Sequence, residues 1–392
     1  MRRARWVVRP VPVAPNGGGM VDPDADGKPR PGHKPVIYHC ISRVVERRFA
    51  FGPDEKEKLR TFMRMYENFS GNRVLSYCFM CNHIHLLVEI TAAPAGGLTD
   101  EELLGRLKWI QTEAQVALVA KELAAARKVV AEGQAKDGES YVRAIHERYT
   151  WRMHDLSQFM QGFLQRYTQW HNGKNKRKGH LWEDRFKSVI VEDGVAAKTM
   201  AAYIDLNPVR AGMVKNPEEY RWSSYGEAIG GGAKGNGKKA RAGLVRAVRA
   251  HEGVAADAAF WHKDVALEYR KILLAGVGER VEERVERSGA MKKVVKRKGL
   301  SKEELDAEKR RLMEAEEKRM GEIPFGRMLR CRVRYFTDGA VIGSKDFVNA
   351  AFESARHLFG PKRKDGARKM RGAGAAAKGV LWSARDLRVG VE

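Results

Sequence analysis

The sequence is poor in cysteine and has no long apolar run. Four cysteines in 392 residues are too few for a disulfide framework, so we expect a reducing compartment, the cytoplasm. No apolar run reaches the length of a membrane span. Prolines interrupt the basic N-terminus before the apolar part of a signal peptide could form, so we expect no signal peptide.

Acidic residues are scarce relative to basic ones. The formal net charge is +24, from 73 Lys and Arg against 49 Asp and Glu. This excess is more than solubility requires and indicates a polyanionic partner such as nucleic acid, and hence association with the nucleoid. Charge alone does not distinguish DNA from RNA or from an anionic membrane. The ATP-binding pattern GxxxxGK[ST] is also absent, which favours chemistry without ATP.

The apolar patterns in the first quarter of the chain predict an α+β fold. Residues 1–34 lack periodicity and are expected to form a disordered N-terminal extension. A strand is predicted over 36–45, a helix over 53–69, and two more strands over 73–80 and 83–90. This order predicts an antiparallel sheet with flanking helices.

A helical insertion is predicted over 92–153. Its Ala-, Glu- and Lys-rich sequence begins with the capping box formed by Thr99 and Glu102, and it is expected to form a helical hairpin. A helix over 155–171 follows, and then a strand over 184–193.

The next helix, over 195–206, is predicted to stop at Asn207, because Pro208 disfavours helical geometry in the residue before it. Residues 229–321 are predicted to contain a flexible linker over 230–240 and charged helices over 279–320. Residues 322–392 are expected to form a helix-turn-helix-like DNA-binding module, with Ser344 capping a helix and a basic tail behind it.

Two histidines two residues apart are the first candidates for a functional site. In a strand, His83 and His85 would project from the same face and could hold one metal ion. Two half-buried structural histidines would produce the same pattern. Cys78 and Cys81 precede the pair and raise the alternative of a zinc site, but their odd spacing would place them on opposite faces of a continuous strand.

A tyrosine and an asparagine downstream could complete the site. Tyr203 and Asn207 are four residues apart and would share one face of a helix, so an amide oxygen could bind the metal beside a nucleophilic phenol. Alternatively, Tyr203 is a core aromatic residue and Asn207 a helix cap. Tyr167 and His171 have the same spacing, and spacing alone does not choose between the two pairs.

Five motifs in this order resemble one known family. They are YHCISR (38–43), YCFMCNHIHLLVE (77–89), GHLWEDRFKS (179–188), YIDLNPVRAGMV (203–214) and YRWSSY (220–225). Together they resemble the IS200-like tyrosine transposases of the HUH endonuclease superfamily, and most of all the REP-associated branch. The sequence departs from the family at Cys81, where proline is usual, and in the length of its insertion.

The resemblance implies a ferredoxin-like HUH nuclease domain over 35–228. It implies that His83, His85 and Asn207 bind Mg²⁺ or Mn²⁺ and that Tyr203 is the nucleophile. The expected reaction is cleavage and rejoining of single-stranded or hairpin (REP-like) DNA through a 5′-phosphotyrosine intermediate, which is DNA transposition, by a monomer or a homodimer. The alternative is a domesticated relative that binds structured DNA or RNA without cutting it.

Basic side chains, with one aromatic residue for base stacking, are predicted to bind the DNA. The predicted DNA-binding residues are Lys174, Lys176, Arg177, Lys178, Trp182, Arg185, Lys187, Arg210, Lys362, Arg363, Lys364, Arg368, Lys369 and Arg371. Trp182 could instead be a core residue.

Overall fold

The structure of the chain is a computed structural model. It describes residues 35–132, 135–231, 236–249, 257–261, 263–277, 280–285, 291–297, 299–314, 334–337, 339–359, 361, 363–370 and 381–384. The predicted N-terminal extension, residues 1–34, lies outside the described residues. Within the described ranges, no helix is both long and apolar enough to cross a lipid bilayer.

Four strands form the centre of the fold, and all four were predicted. They are β1 (Val36–Arg43), β2 (Arg73–Phe79), β3 (His83–Ile90) and β4 (Lys187–Val191). They lie side by side in the order β2-β3-β1-β4, and each neighbouring pair is antiparallel. The predicted α+β fold with an antiparallel sheet and flanking helices is therefore confirmed.

The strand register determines which side chains share a face of the sheet. Arg43 pairs with His83, and Ile41 pairs with His85. Directly paired residues project from the same face, as do residues two apart in one strand. His39 therefore shares a face of the sheet with His83 and His85, the HxH pair.

Helices cover both faces of the sheet. On the face without the histidines lie α1 (Pro53–Ser70) and α5 (Leu156–Lys174), which contribute Leu59, Phe159 and Phe163 to one buried cluster. The histidine face packs against α6 (Val195–Asp205), α8 (Ser224–Gly230), α9 (Asn236–Arg249) and α10 (Lys263–Val277). As predicted, α6 ends before Asn207, and a short helix, α7 (Asn207–Arg210), follows.

The insertion is helical, as predicted, but its described residues form three helices rather than the two of a hairpin. They are α2 (Asp100–Leu107), α3 (Glu113–Ala131) and α4 (Ala135–Thr150). The capping box is present, since the backbone N–H of Glu102 donates to Thr99 Oγ1 over 3.1 Å and that of Thr99 donates to Glu102 Oε2 over 2.8 Å. Leu103, Leu123 and Ile145 belong to a separate buried cluster, so this region has its own small core.

Two predictions about the region after 229 are wrong in part. The linker predicted over 230–240 is wrong from Asn236 onward, where α9 begins, and residues 232–235 lie outside the described residues. This glycine-containing segment becomes helical because Leu244 and Val248 are buried on the histidine face. Gly243 permits this packing, because a Cβ there would lie only 2.5 Å from the carbonyl oxygen of Val74 in β2.

The charged stretch over 279–320 is also not entirely helical. Its described residues include an antiparallel pair of strands, β5 (Arg280–Val285) and β6 (Met291–Arg297), followed by one helix, α11 (Lys302–Glu314). The valines of these strands suit extended backbone, and the high charge of the segment obscured that preference. The predicted capping box of Ser301 and Glu304 is present at the start of α11.

Residues near the C-terminus extend the central sheet. β7 (Val341–Gly343) lies parallel to β4, followed by β9 (Trp382–Ala384) and β8 (Arg368–Lys369). Ser344 caps a helix, as predicted, but α13 (Lys345–Ser354) follows a strand. Of the helix before that strand, α12, the structure describes Arg334–Thr337. The strands near the C-terminus therefore belong to the same sheet as the preceding domain. The sequence did not predict this connection. The predicted domain boundaries stay a prediction.

Candidate functional site

The HxH pair lies where β3 begins, and α6 packs over it. The rings of His83 and His85 have centroids 5.0 Å apart, and the ring of Tyr203 lies 6.1 Å from that of His85. His85 is 2% exposed and His83 is half-buried. The structure therefore brings together the two histidines and the tyrosine, although about 120 positions separate them in the chain.

Both histidines are neutral at neutral pH. Burial, together with the charge of Arg43, lowers the pKa of His83 to about 4. Burial also lowers the pKa of His85 well below its usual range, and the nearby positive charges act in the same direction. A neutral imidazole has a lone pair to give to a metal ion, so these shifts favour metal binding.

A third histidine lies beside the pair, and the sequence did not identify it as a site residue. His39 in β1 is fully buried, and its Nε2 lies 3.0 Å from Nδ1 of His85. Its Nδ1 lies 2.8 Å from the carbonyl oxygen of Phe336. His39 occurs in the YHCISR motif, where a strand pattern would have placed it on the same face as Arg43.

Tyr203 is enclosed on both faces of its ring. Phe336, in α12, stacks on it with centroids 4.4 Å apart and an angle of 16° between the planes. The guanidinium carbon of Arg210 lies 4.5 Å from the centroid of the Tyr203 ring. With these neighbours Tyr203 is only 1% exposed, so the described conformation covers the predicted nucleophile.

Asn207 follows Tyr203 by one helical turn. Its side-chain nitrogen donates to the carbonyl oxygens of Tyr203 and Ile204, both over 3.2 Å. This interaction resembles the cap that was the alternative to metal binding. The amide oxygen takes no part in these two bonds and is the atom that would bind a metal.

Two neutral imidazoles and one amide oxygen suit a divalent cation that accepts nitrogen and oxygen ligands. In the part of the chain that the structure describes, no cluster of three or more His, Cys, Asp or Glu side chains could hold a metal ion. A metal at the HxH pair would therefore need an oxygen from Asn207 or from a substrate phosphate, as Mg²⁺ commonly does.

The competing pair lies on the opposite face of the sheet. The rings of Tyr167 and His171 have centroids 5.9 Å apart, and Phe51 and Trp182 pack against Tyr167. Tyr167 is fully buried within the cluster formed by α1 and α5. The sheet therefore separates this tyrosine from the HxH pair.

The cysteines do not resemble zinc ligands. Cys78 is buried, its Sγ lies 3.6 Å from Sδ of Met80, and burial raises the pKa of its thiol well above the usual range. Sγ of Cys81 lies 3.8 Å from Nζ of Lys56. Zinc binds the thiolate form, so a thiol that stays protonated is a poor ligand.

The predicted DNA-binding residues differ in their environments. Lys174 forms ion pairs with Asp54 and Glu55, at 3.2 and 2.8 Å. Trp182 donates from Nε1 to Thr168 Oγ1 over 3.0 Å and packs in the aromatic cluster, so it has a structural role. Base stacking by Trp182 stays a prediction.

The other predicted contacts are mostly at the surface. Arg177 is half-buried, as is Arg210 above Tyr203. Arg363 donates to the carbonyl oxygens of Asp365 and Gly366, over 3.0 and 2.8 Å. Exposed members of the set are Lys176, Lys178, Arg185, Lys187, Lys364, Arg368 and Lys369. Lys362 and Arg371 lie outside the described residues.

The basic loop between α5 and β4 (residues 175–186) reaches the end of the sheet where His83 lies. The backbone N–H of Glu183 donates to the carbonyl oxygen of Arg43 over 2.8 Å, and Val44 forms a β-bridge with Trp182. Because Arg43 pairs with His83, this loop lies close to the HxH pair.

A comparison with known families agrees with this arrangement. Residues 33–98 match the family model described as "Transposase IS200 like". Over this stretch the chain is similar to IS200-like transposases. The match covers the first two of the five motifs, including both histidines, and ends before Tyr203. For these two motifs it confirms the resemblance, and it supports a transposase function.

Among solved structures, the chain is similar to a REP-associated tyrosine transposase bound to a REP hairpin. The identity is 12% and the TM-score is 0.31, and the similarity covers 51% of this chain and 82% of that chain. No curated protein matches the chain.

Proposed function

We propose that this protein is a metal-dependent single-stranded DNA endonuclease and transposase that uses Tyr203 as its nucleophile. The observation that carries the proposal is the placement of Tyr203 with its ring 6.1 Å from that of His85, beside two neutral histidines, in a chain with an IS200-like match. The substrate is single-stranded DNA at hairpin, REP-like sequences, and the outcome is DNA transposition.

In this proposal the phenol oxygen of Tyr203 attacks the scissile phosphorus. A phosphorus–oxygen bond to tyrosine forms, the bond to the 3′ oxygen breaks, and the phenol proton is balanced by the proton gained by the departing 3′-OH. Mg²⁺ or Mn²⁺, held by His83, His85 and Asn207, would polarise the phosphate and stabilise its developing charge. Since one phosphoester replaces another, rejoining needs no ATP.

Arg210 has a defined position in this scheme. Its guanidinium carbon lies 4.5 Å from the centre of the Tyr203 ring, so its charge favours the phenolate that develops as the proton leaves. The same cation is close enough to the nucleophile to attract the phosphate. Exposed basic residues of the loop before β4, such as Lys178, hold the flanking DNA.

The described conformation must open before cleavage. Tyr203 is 1% exposed and Phe336 stacks on its ring, so a phosphate reaches the phenol only after Phe336 moves away.

The test is incubation of labelled single-stranded hairpin DNA with the full chain and Mn²⁺, followed by denaturing gels. We expect a covalent protein–DNA adduct that Tyr203→Phe abolishes. Tyr167→Phe is the matched control, because it removes a hydroxyl from an equally buried tyrosine on the other face, and it should leave the adduct in place. No adduct with the wild-type chain, or an adduct that survives Tyr203→Phe, would overturn the proposal.

The second candidate is a non-catalytic binder of structured DNA or RNA. The burial of Tyr203 under Phe336 favours it, because a covered nucleophile has no access to a phosphate. Tight binding of the hairpin without an adduct, in both the wild type and Phe336→Ala, would support this candidate.

A further inference from the structure

The HxH pair has two neighbouring side chains that take no part in the proposed reaction. Asn82 lies beside His83, and His39 lies beside His85. Both neighbours contact Nδ1 of their histidine, at 2.7 Å and 3.0 Å respectively. A neutral histidine has one nitrogen that donates and one that accepts, so the partner of Nδ1 determines which nitrogen has the lone pair.

The proton positions near His85 follow from the carbonyl of Phe336. A carbonyl oxygen only accepts, so Nδ1 of His39 donates to it over 2.8 Å. His39 is fully buried, and burial disfavours a charged imidazolium, so its Nε2 has no proton and accepts. Nδ1 of His85 therefore donates to it, and Nε2 of His85 retains its lone pair.

The ring geometry agrees with this chain of hydrogen bonds. The planes of His39 and His85 differ by 12°, and their centroids are 5.2 Å apart. The nitrogens are only 3.0 Å apart, much closer than the centroids, so the rings meet edge to edge. In that arrangement the N–H of one ring points at the lone pair of the other.

Asn82 gives His83 the same proton position by an independent route. Its side-chain nitrogen donates to the carbonyl oxygen of Arg47 over 2.8 Å, which leaves Oδ1 facing His83. Oδ1 accepts from Nδ1 of His83, so the lone pair of His83 is also on Nε2. Two different partners thus produce the same tautomer in both rings.

We propose that His39 and Asn82 are positioning residues, which hold His85 and His83 with Nε2 free to bind the metal. The metal site itself rests on the proposed function, whereas the tautomers are a property of the metal-free protein. Partners of this kind fix the ring orientation of metal-binding histidines, and their loss commonly weakens metal affinity by about 10- to 100-fold.

The experiment uses metal-free full-length protein labelled with ¹⁵N in histidine. Two-bond ¹H–¹⁵N spectra of the wild type should show Nδ1–H tautomers for both His83 and His85. His39→Leu should change the tautomer of His85 alone, and Asn82→Ala that of His83 alone. An unchanged His85 in His39→Leu, or an Nε2–H tautomer of His85 in the wild type, would overturn the proposal.

Affinity for Mn²⁺, measured from the free-ion EPR signal, is the second readout. His39→Leu and Asn82→Ala should each weaken it by roughly 10- to 100-fold. His39→Gln, whose amide oxygen can still accept from Nδ1 of His85, should stay within about threefold of the wild type. Equal losses in the Gln and Leu variants would show that packing matters rather than the acceptor, and would contradict the proposal.

His39 is fully buried, so His39→Leu could fold poorly. In that case His39→Gln still gives both the tautomers and the Mn²⁺ affinity. So does Asn82→Ala, since Asn82 is only half-buried. Failure of the proposed function is distinguishable, because a chain that forms no Tyr203 adduct still reports its histidine tautomers.

Discussion

Each face of the central sheet has a buried tyrosine beside a histidine. On one face the rings of Tyr203 and His85 are 6.1 Å apart, and on the other those of Tyr167 and His171 are 5.9 Å apart. His39, His83 and Arg210 also surround the first pair, whereas Phe51 and Trp182 pack against Tyr167. A contact between a tyrosine and a histidine is therefore not enough to make a reactive site. The chemistry depends on the neighbouring side chains on the same face of the sheet.

The largest expected difference between the faces is in adduct formation. Replacing both His83 and His85 with alanine should lower the rate of covalent adduct formation by more than about 100-fold, since ligands matter more than their orienting partners. His171→Ala should leave the rate near that of the wild type. Rates are measured on gels with labelled hairpin DNA and Mn²⁺. Adduct formation by the double variant would contradict the metal site, and its loss in His171→Ala would give the second face a role.

Removing the aromatic ring that packs against each tyrosine should lower the stability of the protein in both cases but change the rate of adduct formation in only one. Phe336→Ala and Phe51→Ala each delete a buried ring beside a tyrosine, so each should reduce the free energy of unfolding by about 3–5 kcal/mol. Only Phe336→Ala should speed adduct formation, because it uncovers Tyr203. Denaturant unfolding and the gel assay check the two effects. A slower adduct in a folded Phe336→Ala would mean that Phe336 supports the reactive arrangement.

The affinity of the HxH pair for a metal ion should change little when the solution is made mildly acidic. The pKa of His83 is lowered to about 4, so its imidazole stays neutral and able to bind as the pH falls from 7 to 5.5. We expect the affinity for Mn²⁺ to fall by less than about threefold over this range, and more steeply toward pH 4. A histidine of ordinary pKa, near 6.5, would be about nine-tenths protonated at pH 5.5. A tenfold loss by that pH, measured by EPR, would show that the histidines are more open to water than in the structure.

The smallest expected effect concerns the basic loop between α5 and β4. Lys178 is exposed, so Lys178→Ala should reduce the salt dependence of hairpin binding by about one phosphate contact. Lys174→Ala should change it less, because Lys174 already pairs with Asp54 and Glu55. Binding measured across a salt series tests the difference. An equal change in both slopes would mean that the ion pairs of Lys174 open when DNA binds.

The sequence predicted elements whose local pattern agrees with their final environment. The strands and the helix between 36 and 90 have clear periodicities, and the proline after Asn207 marks the end of α6. Prediction failed where long-range packing overrides composition. The glycine-containing segment from Asn236 becomes a helix because it is buried against β2, and the charged segment from Arg280 pairs with a second strand.

For the site, the sequence by itself determined the HxH pair and two candidate tyrosines. A strand places His83 and His85 on one face because side chains alternate, so this part requires no tertiary information. The choice between Tyr203 and Tyr167 needed either the resemblance or the fold. Only the sheet, with α6 on one side and α5 on the other, separates them physically.

Tertiary structure alone determines how the ring of His85 is oriented and which side chain covers Tyr203. His39 reaches His85 through strand pairing. Phe336 lies 297 positions beyond His39; its carbonyl oxygen accepts a hydrogen bond from His39, and its ring stacks on Tyr203. No local pattern encodes either contact, because a hydrogen bond between distant residues depends on the packing of the whole chain. The sequence thus supplies the chemical groups, and the fold decides which nitrogen faces a metal and whether the tyrosine is open to DNA.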